Sequence, residues 1–174
     1  MHDVCVDGAV LEDDILRLRP LSLDDVDEWM AGEDDEQIRW FEFARPARRD
    51  DVAQAIERWQ DSWQSGGPVR HRAVCDRSTG HIAGGVEVRD LGNGEVNLSY
   101  LVFPGFRRMG IATRASRLAL RYAAGEMGAT IALIKILEGN SASLGVARRL
   151  GAVECGRAPS DAGGDVRGLP RRSC

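Results

Sequence analysis

Leu16-Arg17-Leu18-Arg19 alternates apolar and basic residues and stops at Pro20. A two-residue period sets the apolar side chains on one face of a strand, and proline cannot continue its ladder. The period then lengthens. Ser22, Asp24 and Asp25 precede Val26, Trp29 and Met30, whose three- and four-residue spacing predicts a helix capped by short polar side chains. A second helix begins at Asp50-Asp51, carries Val52, Ala55, Ile56, Trp59 and Trp63 on one stripe, and ends at Ser65-Gly66-Gly67-Pro68. Between the two helices, Ile38 to Phe43 fits neither period. Its rings either pack into the core or line a groove for a substrate.

Three strand-like runs follow. Arg72 to Cys75 leads into a turn at Asp76–Gly80, and Ile82 to Val88 leads into Leu91-Gly92-Asn93-Gly94, whose Asn-Gly is a strong hairpin signal. Glu95 to Val102 alternates polar and apolar residues and is expected to be the central strand. Glu95, Asn97, Ser99 and Leu101 share one of its faces. After a Gly- and Arg-rich turn, a helix is expected to run to about Met127 with Ala115, Leu118, Ala119, Tyr122 and Ala123 on one side. Thr130 to Ile136 reads as a buried strand, Ser141 to Leu150 as a short helix stopped by Gly151, and Val153-Glu154-Cys155 as the start of a last strand. The fold class is a mixed α/β domain: front helices, antiparallel strands, then strand and helix in alternation. Residues 1–14 read as a weakly structured leader and 15–174 as one domain, its last ~18 residues atypically rich in Gly, Asp, Arg and Pro.

The chain has 174 residues, 43% of them hydrophobic, enough for one well-buried core. Its formal charge of −4 gives no general attraction to nucleic acid or anionic membrane. Cys5, Cys75, Cys155 and Cys174 are far apart and have no nearby His, so no metal site is expected and reduced thiols are. Without a basic, apolar start or a run of ~20 apolar residues, the expected location is cytoplasmic.

Candidate chemistry lies where the third predicted helix begins. In Val102-Phe103-Pro104-Gly105-Phe106-Arg107-Arg108-Met109-Gly110-Ile111-Ala112-Thr113 a strand passes directly into a helix. Gly110 and Ala112 let the main chain approach a ligand. The first N–H groups of a helix lack internal acceptors and suit a pyrophosphate. Arg107 and Arg108 add positive charge at the rim. The segment matches neither a P-loop nor the three-glycine dinucleotide fingerprint.

Arg107-x-x-Gly110-x-Ala112 resembles the Gln/Arg-x-x-Gly-x-Gly/Ala motif of the GNAT superfamily of N-acetyltransferases. A second family signature, Asn-x-x-Ser followed by a helix and Leu-Gly, appears as Asn140 to Ser143 and Leu150-Gly151. The resemblance runs from Ile15 to Gly156. The opening Leu18 to Asp25, the Trp40 region and the Asn140 run are most similar to the branch that acetylates ribosomal-protein N-termini.

The resemblance implies a mostly antiparallel, splayed sheet flanked by helices. It implies acetyl-coenzyme A bound by Leu101, Val102, Arg107 to Thr113, Asn140 and Ser143, and an amine, either a protein N-terminus or a small molecule, as acceptor. The amine would attack the thioester directly, with a backbone N–H near Leu101 or Val102 polarising the carbonyl. Glu87 and Glu95 are candidate bases and Ser143 the candidate acid, because Ala147 stands where relatives often carry Tyr. Ser143 could equally be a capping hydroxyl. Trp40, Phe43 and Tyr100 are candidate acceptor contacts. The acidic run Glu33 to Glu36 either attracts a cationic acceptor or is a solvated helix end. His71 and His81 are expected to be exposed. Dimerisation is an expectation of the resemblance alone. Ala147 and the unusual C-terminus keep a second reading open, a coenzyme A-binding module without catalysis. A plain nucleotide-phosphate binder is a third.

Overall fold

The computed structural model describes residues 10–157. Six strands form one sheet in the order β1-β2-β3-β4-β5-β6: β1 Leu11–Glu12, β2 Leu16–Arg19, β3 Val69–Asp76, β4 Ile82–Gly92, β5 Glu95–Val102 and β6 Ile131–Leu133. Neighbours are antiparallel except β5 and β6, which are parallel. Helices α1 (Val26–Gly32), α2 (Asp35–Trp40) and α3 (Arg49–Gln64) belong to the front half, and α4 (Ile111–Glu126) and α5 (Ser141–Arg149) to the back.

The alternation along each strand divides two apolar layers. Leu16, Leu18, Val74, Val86, Val88, Val96 and Leu98 are buried with Ile111, Ala115, Ala119 and Ala123 of α4. On the other layer Leu21, Val26, Trp29, Val52 and Ile56 bury with Ala73, Cys75, Ile82 and Phe103. The small residues of α4 recur every four positions and give the helix a flat side close to the sheet. Arg114 of α4 also reaches back to Asp13, at 3.0 Å, and to Asp14.

Several expectations change. Leu11 and Glu12 pair with Leu18 and Arg17, so part of the segment read as a leader is an edge strand; residues 1–9 lie outside the described residues. β5 is fifth of six rather than central, because both N-terminal hairpin strands stack outside β3. The run Thr130 to Ile136 forms a strand only over Ile131–Leu133. It is not buried: Ile131 is 51% exposed, since no described strand covers that edge. Val153 is 84% exposed and no strand forms at Val153 to Cys155. The atypical stretch from 158 onward lies outside the described residues.

Gly84 is required by space. A Cβ there would fall on the Leu101 carbonyl oxygen and lie 2.9 Å from Val102 Cα. Backbone cannot yield as a side-chain tip can, so Gly84→Ala must part β4 from β5. The expected cost is about 1–3 kcal/mol, read as a lowered urea midpoint with an unchanged slope.

Candidate functional site

β6 pairs with β5 only at Glu95↔Ile131, Val96↔Ala132 and Asn97↔Leu133. Beyond Asn97 the two strands part, while β5 stays paired with β4 as far as Gly84↔Val102. Leu98 to Val102 therefore present a main-chain edge that no described strand occupies.

At the open end, a short turn over Pro104–Phe106 leads into α4. Gly110 is the N-cap, at φ +76°, where a Cβ is strained; nothing lies within 4 Å of the position a Cβ would take. Arg114 N–H donates to Gly110 C=O at 3.1 Å as the first bond of the helix. The N–H groups of Ile111, Ala112 and Thr113 therefore have no acceptor within the helix. Arg108, also at positive φ (63°), and Met109, 62% exposed, form the outer rim. Arg107 is otherwise engaged. Its guanidinium donates to both carboxylate oxygens of Asp34, at 2.7 and 2.9 Å, and to Val102 C=O at 3.0 Å, and it pairs with Glu36 at 2.7 Å. Arg107 holds the Asp34 carboxyl below its usual range.

On the face opposite α4, β3, β4 and β5 bring His71, Glu87 and Ser99 into one row and Ala73, Gly85 and Leu101 into the next. Trp59 stacks on His71 with centroids 3.6 Å apart, and Trp29 meets the edges of His71 and Phe103. Gly85 leaves room for Trp29: its Cβ would lie 2.6 Å from that indole. Burial pushes the Glu87 carboxyl up, against the opposing Arg89 guanidinium and Trp59; Arg89 donates to it at 3.2 Å.

The profile of the acetyltransferase (GNAT) domain matches residues 16–153. The chain belongs to the GNAT acetyltransferase family. Among solved structures it is similar to a putative ribosomal-protein-serine acetyltransferase from Vibrio cholerae (18% identity, 82% of each chain, TM-score 0.71). A GNAT-family acetyltransferase from Bacillus anthracis shares 14% identity over 82% of each chain, with a TM-score of 0.71. The microcin C7 self-immunity acetyltransferase MccE, solved with acetyl-CoA and AMP, shares 23% over 80% of this chain and 79% of its own, with a TM-score of 0.67. At these identities the likeness is one of fold. No curated protein matches the chain.

GNAT acetyltransferases use acetyl-CoA, and the geometry accommodates it: unpaired helix N–H groups beside an open Gly110, continuing into an unpaired strand edge. The remaining expected site residues divide between two faces. Asn140, buried, caps α5 by accepting from Ser143 N–H at 3.0 Å. The cap is thus Asn140 rather than Ser143, whose side chain faces the Tyr100 phenol. Tyr100 packs on the α4 side, its hydroxyl donating to Ser143 C=O at 3.1 Å, and is therefore not brought together with the front loop. Glu95 lies six residues before Leu101, roughly 20 Å along the strand. Glu87, opposite Ser99, is far closer to the open end. The front-loop rings do not join the core: Phe41 and Phe43 stack on each other at 5.7 Å and are 38% and 53% exposed, while Trp40 carries Arg39 over its ring.

His71 corrects the sequence expectation, for it is buried; His81 is exposed and pairs with Glu28 at 3.0 Å. A His at the third position of a strand gives no sign of its face until the partner strands are known. Asp34 was legible only as part of an acidic run, although Asp-x-x-Gln before a helix is a capping pattern. Its side chain indeed accepts from Gln37 N–H.

Burial lowers the His71 pKa from 6.5 to about 3, with Arg72 adding repulsion. The unfolded chain takes up this proton first as pH falls. Stability is therefore independent of this group above pH 6.5 and is lost progressively from there toward pH 3. Between pH 7 and pH 5 the loss should be about 2 kcal/mol. His71→Phe, which keeps a ring on Trp59, should flatten that part of the urea-midpoint profile.

Proposed function

We propose that this GNAT acetyltransferase moves the acetyl group of acetyl-CoA to a primary amine, a protein N-terminus or a small amine, by direct attack in a ternary complex. The observation that carries the reading is the parting of β5 from β6 after Asn97↔Leu133, directly beside the unpaired N-terminus of α4. A pantetheine arm has amides that can pair with the Leu98–Val102 edge as a strand would. The N–H groups of Ile111, Ala112 and Thr113, with Arg108 and Met109 at the rim, would hold the pyrophosphate. Asn140 and Ser143 bound the same opening from α5.

Acetyl-CoA supplies the activated acyl group; the chain's own residues supply position and proton transfer. A backbone N–H at Leu101 or Val102 is suited to polarise the acyl carbonyl. Glu87 is the candidate base, on the face lined by Trp29 and Trp59, and its raised pKa brings it nearer the working range of a general base. Ser143, beside the Tyr100 hydroxyl on the opposite side of β5, is the candidate proton donor to the leaving thiolate. Base and acid then approach the opening from opposite faces of the sheet. Trp40, half-buried at the end of α2, and Phe43, exposed on the loop that follows, remain candidates for acceptor contact. The likeness to a ribosomal-protein-serine acetyltransferase supports a protein N-terminus as one acceptor class to test first. A cytoplasmic location is proposed with it; no described helix is long and apolar enough to cross a membrane.

A second reading, a coenzyme A-binding domain without turnover, has one supporting observation: Ala147 is buried where relatives often carry Tyr. The two readings separate by experiment. In calorimetry, wild type should bind acetyl-CoA with micromolar affinity, about −8 kcal/mol. Gly110→Asp should abolish binding while staying folded, since Asp tolerates positive φ better than most residues but sets a carboxylate against the pyrophosphate. Binding that survives the substitution would refute the assignment of the donor site. With amine substrates, Glu87→Gln should lower kcat about 100-fold. The wild-type rate should rise with pH through a pKa above 4.5, because the base acts deprotonated, and that limb should vanish in the variant.

A further inference from the structure

We propose that Asp34 is a positioning residue for the donor site, acting through Arg107, and that Arg107 is a strut of the sheet edge rather than a ligand of the pyrophosphate. The inference rests on the acetyl-CoA reading above and assigns its residues differently from the motif, in which the arginine is counted as cofactor-binding.

The guanidinium has five N–H donors. All but one are spent on Asp34, Glu36 and Val102 C=O. Its single positive charge faces two carboxylates, so the cluster as a whole is net negative and offers an anion no attraction. Positive potential at the loop comes instead from the N-terminus of α4 and from Arg108.

What Arg107 does hold is geometry. Val102 is the last residue of β5 and sits on the edge that β6 leaves uncovered. The Nε bond returns from the far side of the Pro104–Phe106 turn to that carbonyl, closing the turn onto the strand. Asp34 fixes the guanidinium in a planar, bidentate pair. It is in turn fixed by its role as N-cap of α2. A second contact sets the same register: Gly32, two residues before Asp34, packs so closely on Phe103 that a Cβ would fall within its ring. The junction of α1 and α2 is thus keyed to the end of β5 and the residue after it at two places. α2 leads directly into Trp40 and the Phe41–Phe43 pair, so one junction sets both the acyl end of the donor groove and the front loop.

The two roles for Arg107 predict opposite signs in Asp34→Asn. Asn is as good an N-cap as Asp, so α2 is kept, while the bidentate pair is lost. If Arg107 is a strut, the acetyl-CoA Kd rises about tenfold, and that for ADP, which has the pyrophosphate but no acyl arm, rises less than threefold. The KM for acetyl-CoA rises and kcat falls together, with Tm within a few degrees of wild type. If Arg107 is a phosphate ligand that Asp34 restrains, the same substitution frees it, and both ligands bind equally well or more tightly; that result overturns the proposal. Arg107→Lys is the second variant. It keeps the charge and loses the fork, so it should repeat the Asp34→Asn pattern, whereas wild-type binding would refute the strut. Failure of wild type to bind acetyl-CoA at all would remove the donor-site reading and this inference with it. That outcome is distinct from a wild type that binds and an Asp34→Asn that does not weaken.

Discussion

Strand β5 is held on one side along its whole length and on the other for three residues only. Everything that gives this GNAT acetyltransferase a candidate donor groove depends on that inequality. The β4 side has to be tight so that the other can stay open without the strand drifting, and Gly84 supplies the tightness by admitting the Leu101 carbonyl where any side chain would exclude it. The same stretch of β4 places Gly85 under Trp29 and, two residues later, turns Glu87 toward the aromatic face. A strand held firmly on one edge is thus both the wall of the groove and the carrier of the candidate base's neighbours.

Much of this was legible in the order of residues. The α4 start could be read from Gly110 and the small residues after it, since a left-handed cap and a four-residue repeat of Ala are local properties of the chain. Asn140 was picked out by the family signature Asn-x-x-Ser, and its role as the cap of α5 came only with the structure. What could not be read was whatever depends on which strand lies beside which. Glu87 and Glu95 look alike along the chain, each a carboxylate on an alternating strand. Only the register, pairing Glu87 with Ser99 and leaving Glu95 at the closed end, tells them apart. His71 was misjudged as exposed because its burial is created by Trp59 and Trp29, which arrive from helices that precede it in sequence.

The arginines show the same division. Along the chain, Arg107, Arg108, Arg114, Arg117 and Arg121 crowd one region, which fits a phosphate-facing cluster no better than an arginine-rich composition. In the folded chain three of these find separate acceptors: Arg107 takes Asp34 and Glu36, Arg114 takes Asp13 and Asp14, and Arg117 takes the Arg149 carbonyl. Charge counted along a chain overestimates charge available to a ligand whenever acidic residues elsewhere share the surface. In the front loop the error runs the other way, since Phe41 and Phe43 were as well suited to a core as to a surface and stand exposed.

The tie between Asp34 and Arg107 spans 73 residues of chain. Contacts of such separation form late, because the entropy of closing a long loop must be met before the contact can reward it. The hairpins of β3, β4 and β5 can assemble locally and early. The turn ahead of α4 is fastened by residues 73 positions earlier in the chain, so its shape is a property of the finished domain rather than of any piece.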